Sequence, residues 1–311
     1  MDLYNIPGDS GKPFRRKTVQ NLLNGDYIDG ATDYCLLVPY AEYKELDDEE
    51  RVWLAYLYGL SYSCTTAIRF FEEFPDINRI SGKFIKTYWR DEKPTLWFNP
   101  DRKYLKSNNQ VIPAIKSLKD NLSGEPLLYK VLDVSKEGKS FEGLYKYINK
   151  EWKFFGPMGA YLFFDALYGL CPEVYVDPPE LDWKHSGKTV VEGMAHMLYQ
   201  DELIDTREFP LERYSKVVNK LQESSGKPKV LIESTLCAFR KFFKGTRYMG
   251  YYADRMLEEC MFVDSHGGMP KDIDIWILRK ESVPDELRGE IHGWDGIRKD
   301  QMKRWLERGL P

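Results

Sequence analysis

Cysteine is scarce and scattered in this chain. Its five thiols, Cys35, Cys64, Cys171, Cys237 and Cys260, are odd in number and never set as CxxC. That argues against a disulfide framework and offers no zinc or iron–sulfur ligand spacing. A surplus of positive charge is also missing, with 45 Lys and Arg against 49 Asp and Glu, a formal net charge of −4 and a pI near 5.8. Indiscriminate nucleic-acid binding is mostly phosphate neutralisation, so this balance argues against a nonspecific DNA coat but permits a local basic face. No apolar run approaches the roughly 18 residues of a membrane span. No secretory leader is expected ahead of the fold, and no repeat or low-complexity tract occurs. The absences point to a reducing, cytoplasmic globular protein with no metal site and no evident cofactor.

The 311 residues are 42% hydrophobic and 14% aromatic, enough for a sizeable core. The expected organisation is a polar arm over residues 1–33 followed by a single helical domain over 34–311, built of one body or of two lobes meeting at a cleft near 150–190. In the arm, Lys12, Arg15, Arg16 and Lys17 surround Phe14, as a phosphate-touching segment or a solvated terminus. Asp47–Glu50 place acids in a first turn ahead of VWLAYLYGL, where the helix dipole favours them. Further helices are expected around Thr65–Glu73, Phe84–Trp89, Val111–Leu118, Phe141–Lys150, Thr189–Tyr199, Lys216–Leu221, Lys229–Phe243 and Gly296–Gly309. Leu36–Val38 is a short apolar run ended by Pro39. Only Asp272–Leu278 (DIDIWIL) alternates like a strand. The class is therefore mainly α with at most minor β.

Glu151–Glu180 is the stretch around which the rest is organised. Phe141, Leu144, Tyr145 and Ile148 sit at i, i+3, i+4 and i+7 of an amphipathic helix. A tight turn follows, then a second helix apolar nearly all round, in which Asp165 is a carboxylate in a poor solvent that must be paired or used. In the turn, Gly156-Pro157-Met158-Gly159-Ala160 suits close backbone approach and a proline at the first helical turn. Such a turn either presents free N–H groups to a DNA phosphate or is purely structural.

These residues resemble the helix-hairpin-helix DNA glycosylases. Phe155-Gly156-Pro157-Met158-Gly159-Ala160 is similar to the second half of their Gly-hydrophobe-Gly turn, and Val174-Tyr175-Val176-Asp177 to their apolar segment ending in an essential Asp. Phe154 stands where the usual turn has its first glycine. A closer resemblance is to the phage alpha-glutamyl/putrescinyl-thymine pyrophosphorylase group, which includes the amino acid:DNA transferases. It is carried by Gly156-Pro157, Ala160-Tyr161 and Asp165, by the small loop Trp183–Gly187, by Glu233 and Cys237 as E-x-x-x-C, and by the N-terminal LLVPYAEYKELDDEERVWLAYLYGL, over roughly Leu36 to Tyr252.

The resemblance implies a glycosylase-like fold and a transferase in the cytoplasm of an infected bacterial host. Its substrates would be double-stranded DNA carrying a modified uracil and the amine of an amino acid or polyamine, which displaces pyrophosphate from 5-(pyrophosphoryloxymethyl)uracil. That chemistry asks for a pocket for an extruded base, cations or N–H groups for the departing anion, and a carboxylate for the amine. Asp177 or Asp165 is expected to serve the amine or the cation-like transition state, with Tyr161 and Glu233 as further catalytic candidates. A DNA glycosylase using Asp177, and a non-catalytic phage DNA-binding protein, are the alternatives.

Two basic stretches supply candidate anion contacts. Trp183, Lys184, His185, Gly187 and Lys188 lie in a polar loop suited to cradle pyrophosphate, or to form a charged surface loop capped by Ser186. Asp182 occupies the position where a P-loop needs glycine, against a Walker site. From Arg240 to Arg247 four basic residues and no acid interleave with aromatics. The expectation is that the aromatics pack inward and Arg240, Lys241, Lys244 and Arg247 join Gly156, Pro157 and Gly159 in touching DNA. Glu233 reads equally as a helix-dipole partner, and His196 as a packed core histidine.

Overall fold

The computed structural model describes residues 14–24, 34–136, 141–178, 183–198, 210–244, 246–247 and 251–283. The chain is mainly helical, and no strand occurs among the described residues. In chain order the helices are α1 (Phe14–Asn24), α2 (Leu37–Tyr43), α3 (Asp48–Ser61), α4 (Cys64–Glu73), α5 (Gly82–Glu92), α6 (Lys103–Ser107) and α7 (Val111–Leu122). Then come α8 (Leu127–Lys136), α9 (Phe141–Glu151), α10 (Gly156–Leu170), α11 (Trp183–Met197) and α12 (Leu211–Ser225). The last are α13 (Lys229–Phe243), α14 (Tyr251–Ser265) and α15 (Ile275–Ser282). None of them is long and apolar enough to cross a membrane. The expected tail helix Gly296–Gly309 lies outside the described residues.

Contacts divide the chain into two compact units. One contains the described residues of Met1–Asp33 and Pro178–Asp254, the other Tyr34–Asp177 with the described residues of Arg255–Arg288. In the larger unit α3 is the central rod, buried from Val52 to Ser61 and packed against α10, α4 and α8. Its start is a capping box: Glu50 N–H donates to Asp47 Oδ1 at 2.9 Å and Asp47 N–H to Glu50 Oε2 at 3.0 Å. The first turn of α4 is held by a buried carboxylate, Glu259. It accepts from Ser63 Oγ at 2.8 Å, Thr65 N–H at 2.6 Å and Thr65 Oγ1 at 2.7 Å. Burial pushes the Glu259 carboxyl up, and these donors pull it back.

In the other unit α11 and α13 form the most extensive pairing, with α1 and α12 packed on α13. Residues 14–24, read from sequence as part of a polar arm, bury Val19, Leu22 and Leu23, and Arg15 Nη1 donates to His196 O at 2.9 Å. The α11–α13 approach depends on Gly193, because a Cβ there would meet the Leu236 carbonyl oxygen at 2.1 Å.

Three expectations need correction. Asp272–Leu278 is not a strand: the Asp274 side chain accepts from Trp276 N–H at 2.9 Å and caps α15. Its buried residues, Ile275, Leu278 and Arg279, recur at helical i, i+3, i+4 spacing, while Ile277 is 51% exposed. Pro39 does not end an apolar run, since it sits in the first turn of α2, where its missing N–H costs nothing. Residues 183–188 are not a loop but the opening turns of α11, so Ser186 is inside the helix and not its cap.

Gly193→Ala should destabilise the protein by about 1–3 kcal/mol, the usual range for overpacking. Thermal unfolding of the full chain would show this as a lowered midpoint, and an unchanged midpoint would mean that α11 and α13 do not pack this closely.

Candidate functional site

The α9–α10 hairpin forms one cluster. Its α9 buries Phe141, Leu144, Tyr145 and Ile148, the four positions of the periodic pattern. The turn then runs through a residue in the left-handed region, a buried aromatic and a second left-handed residue: Phe154 (φ 67°), Phe155 and Gly156 (φ 58°). Phe154 thus adopts the conformation for which glycine is favoured, a strained choice for a bulky residue. Its ring is exposed, as is Met158. Phe155 points inward, stacked on Tyr56 at 4.8 Å and edge-on to Trp152 at 5.0 Å.

A residue far away in sequence fixes this turn. The buried Arg102 guanidinium donates from Nη1 to Phe154 O at 3.1 Å and Phe155 O at 3.3 Å, and from Nη2 to Gly59 O at 3.0 Å. Gly159 leaves the room it needs, since a Cβ there would lie 2.8 Å from Arg102 Nη2. Among the described residues no carboxylate pairs with Arg102, and burial lowers its pKa from the ordinary arginine value. On the open side, Gly159 N–H is already bonded to Phe155 O at 3.1 Å. Pro157 has no N–H, and the amides of Gly156 and Met158 have no hydrogen-bond partner among the described residues. A positive helix end with two open amides, backed by a buried cation, can hold an anion.

Farther along α10, Tyr161 and Asp165 are both buried, one turn apart on one face. Asp177 is only partly buried, and Tyr175 Oη donates to its Oδ1 at 2.7 Å. Of the two aspartates proposed from sequence, Asp177 is therefore the one open to a substrate.

The second cluster lies on α13. Glu233, Cys237, Arg240, Lys241 and Lys244 fall along one stripe of this helix at i, i+4, i+7, i+8 and i+11. The opposite faces bury Leu231, Ile232, Leu236, Ala238, Phe239 and Phe242. Burial pushes the Glu233 carboxyl up to about 8, partly offset by a hydrogen bond from Ser234 and the charge of Lys241. One turn on, burial also raises the Cys237 thiol.

Glu192 of α11 faces this stripe. It takes Arg240 Nε at 2.7 Å and Lys244 Nζ at 3.0 Å on Oε2, with Lys188 Nζ 3.5 Å from Oε1. Burial alone would raise Glu192, but hydrogen bonds from Lys244 and Arg240 and their charges outweigh it and hold the carboxyl at about 2. One carboxylate thus gathers three cations and leaves a surplus of positive charge. Two separately expected anion contacts, Lys188 and the Arg240–Lys244 pair, are brought together here. Arg247 lies beyond the helix with its guanidinium 3.9 Å above the Tyr251 ring. The side chains of Trp183, Lys184, His185 and Gly187 lie outside the described residues. Sequence reasoning missed Glu192 and Arg102. The former carried a signal at i+4 from Lys188; the latter carried none in its neighbourhood.

Among known proteins, the amino acid:DNA transferase family matches residues 37–248, a span that contains both clusters. The serinyltransferase of Salmonella phage ViI is 25% identical over 309 residues, covering 85% of this chain and 71% of that protein. No solved structure matches the chain significantly. A match of this extent, over a helical chain with a hairpin turn and a cationic helix stripe, shows that the chain belongs to the amino acid:DNA transferase family.

Proposed function

We propose that this transferase displaces pyrophosphate from 5-(pyrophosphoryloxymethyl)uracil in double-stranded DNA with the amine of an amino acid, in the cytoplasm of an infected bacterial host. The observation that carries the reading is the α13 stripe, where a carboxyl with raised pKa and a surplus of cations share one helical face. An amino acid arrives as an ammonium and must lose a proton before its nitrogen can attack. Glu233, with a pKa near 8, is suited to take that proton at mildly alkaline pH, where it has lost its own. The nitrogen lone pair then forms the bond to the base methylene as the carbon–oxygen bond breaks. The pyrophosphate leaves with that bond's electron pair, toward Arg240, Lys244 and Lys188. In the other unit, Asp177, steadied by Tyr175, is a carboxylate available to an amine, and Tyr161 with Asp165 shapes the interior behind the hairpin.

The hairpin turn holds a phosphate of the DNA backbone through the Gly156 and Met158 amides, with Pro157 and Gly159 allowing its approach, while the base is extruded for reaction. Lys184, His185 and Gly187 at the start of α11 and Trp183 beside them extend the pyrophosphate contacts, and Lys241 and Arg247 the DNA contacts. The serinyltransferase relative makes serine the first amine to try, ahead of polyamines. Pyrophosphate should appear only when modified DNA and an amine are both present. Release of free base without an amine would instead mark a glycosylase.

Glu233→Gln should lower the transfer rate by about a hundredfold or more and flatten the rise of rate with pH through about 8. Unfolded, Glu233 loses its proton near 4.5, whereas in the fold it keeps it to about 8. Its contribution to stability therefore declines as pH rises between those values. The glutamine variant should accordingly gain more in thermal midpoint over the wild type at pH 8 than at pH 5. Phe154→Gly should leave the midpoint unchanged or higher, because glycine relieves the left-handed strain. A clear fall in the midpoint of this variant would show that the Phe154 side chain is needed for the fold.

A further inference from the structure

Beside the hairpin turn, within the same unit, lies an open cleft of about 690 Å³ that the proposed chemistry does not use. Its floor is the outward face of α7 from Ile112 to Asn121. One wall is α5 with Lys86 and Trp89, and its end is Lys153 of the turn. Lys86, Lys116 and Lys153 are exposed, and none has a carboxylate within ion-pair distance among the described residues. Asp120 is the single acid of the lining. Elsewhere the lysines of this unit commonly have partners: Lys44 meets Asp272 at 2.8 Å and Lys271 meets Glu73 at 2.7 Å. Residues 82–119 hold nine basic residues against three acidic ones, in a chain whose net charge is −4.

We propose that this cleft is a second DNA-backbone contact, in which Lys86, Lys116 and Lys153 take phosphates of the strand running on from the turn. Charge complementarity selects a polyanion, and shape selects a strand. The floor from residue 112 to 121 is about 13 Å of helix at 1.5 Å per residue, open along its length and not closed around a small molecule. Lys153 belongs to both cleft and turn and immediately precedes the exposed Phe154, so a strand bound at the Gly156 and Met158 amides has the lysines as its continuation. Lys93 is held away, donating to Asn109 Oδ1 at 2.6 Å, an atom that also accepts from Trp89 Nε1 at 3.2 Å.

The proposal rests on DNA being the acceptor of the transfer. Its test is fluorescence anisotropy of the full chain with a labelled duplex over a range of salt, comparing the wild type with a variant carrying Lys86→Gln, Lys116→Gln and Lys153→Gln, and with Asp120→Asn. The triple variant should keep the wild-type thermal midpoint, since all three positions are exposed. Its slope of log K against log salt should fall in magnitude by about two to three, at ~0.9 per phosphate, while Asp120→Asn tightens binding. An unchanged slope in a folded triple variant would overturn the cleft assignment and leave the transferase reading intact. A wild type that binds no DNA would overturn both. If the triple variant loses affinity for inorganic pyrophosphate while its salt slope for DNA stays unchanged, the cleft belongs to the free anion and the DNA assignment fails.

Discussion

A buried guanidinium without a carboxylate is the constraint on which the hairpin depends. Arg102 spends its donors on neutral oxygens of Gly59, Phe154 and Phe155 and on the Tyr104 hydroxyl. Such a group is expensive to bury, and its burial is offset here because two of the carbonyls it reaches, Gly59 O and Phe154 O, have no backbone donor among the described residues. The arrangement explains several residues together. Gly159 has no side chain because Arg102 occupies that space. Phe155 packs inward beneath the guanidinium, whose carbon is 5.8 Å from the ring centroid. Phe154 is kept in a left-handed conformation that a bulky residue avoids, its carbonyl tied to Arg102. Because no acid among the described residues neutralises it, Arg102 adds its charge to the helix end behind the open amides.

The α13 stripe uses the opposite arrangement, with one acid shared among several bases. Glu192 fixes Arg240 and Lys244 in place without cancelling both, so the cluster is ordered before any anion arrives and still attracts one. Preorganised charge of this kind costs no rearrangement when a leaving group develops negative charge. Glu233 is kept apart from those cations in a different sense. Burial, not an ion pair, dominates its environment, so it holds its proton at pH values where Glu192 has long lost one. Two glutamates on facing helices are thereby driven to opposite ends of the scale, the pattern expected where one carboxylate is a fixture and the other exchanges a proton.

Much of this was legible in the sequence, for identifiable reasons. The helices with clear 3.6-residue periodicity, such as α9 and α13, and the start of α3 with its acidic cap, were readable because local pattern and burial agree. Asp272–Leu278 misled because its short apolar alternation fits a strand as well as a helix turn. The side-chain cap from Asp274 decides between them and is visible only in three dimensions. The opening of α11 looked like a loop because Trp183, His185, Ser186 and Gly187 are weak helix formers, yet they open a helix that runs on to Met197. The turn was legible in position but not in mechanism. Phe154 looked like a departure from a glycine turn, yet it takes up the glycine's backbone conformation, and the residue that holds it there is about fifty positions earlier.

The central claim is that this chain joins an amine to a base carbon in DNA as pyrophosphate departs. Mass spectrometry of nucleosides tests it most directly: DNA bearing the pyrophosphorylated base is incubated with the protein and an isotope-labelled mixture of amino acids, then digested and analysed. The account predicts a deoxyuridine derivative carrying a labelled amino acid through a nitrogen–methylene bond. Recovery of the nucleoside unchanged, or of abasic sites with free base in solution, would contradict it.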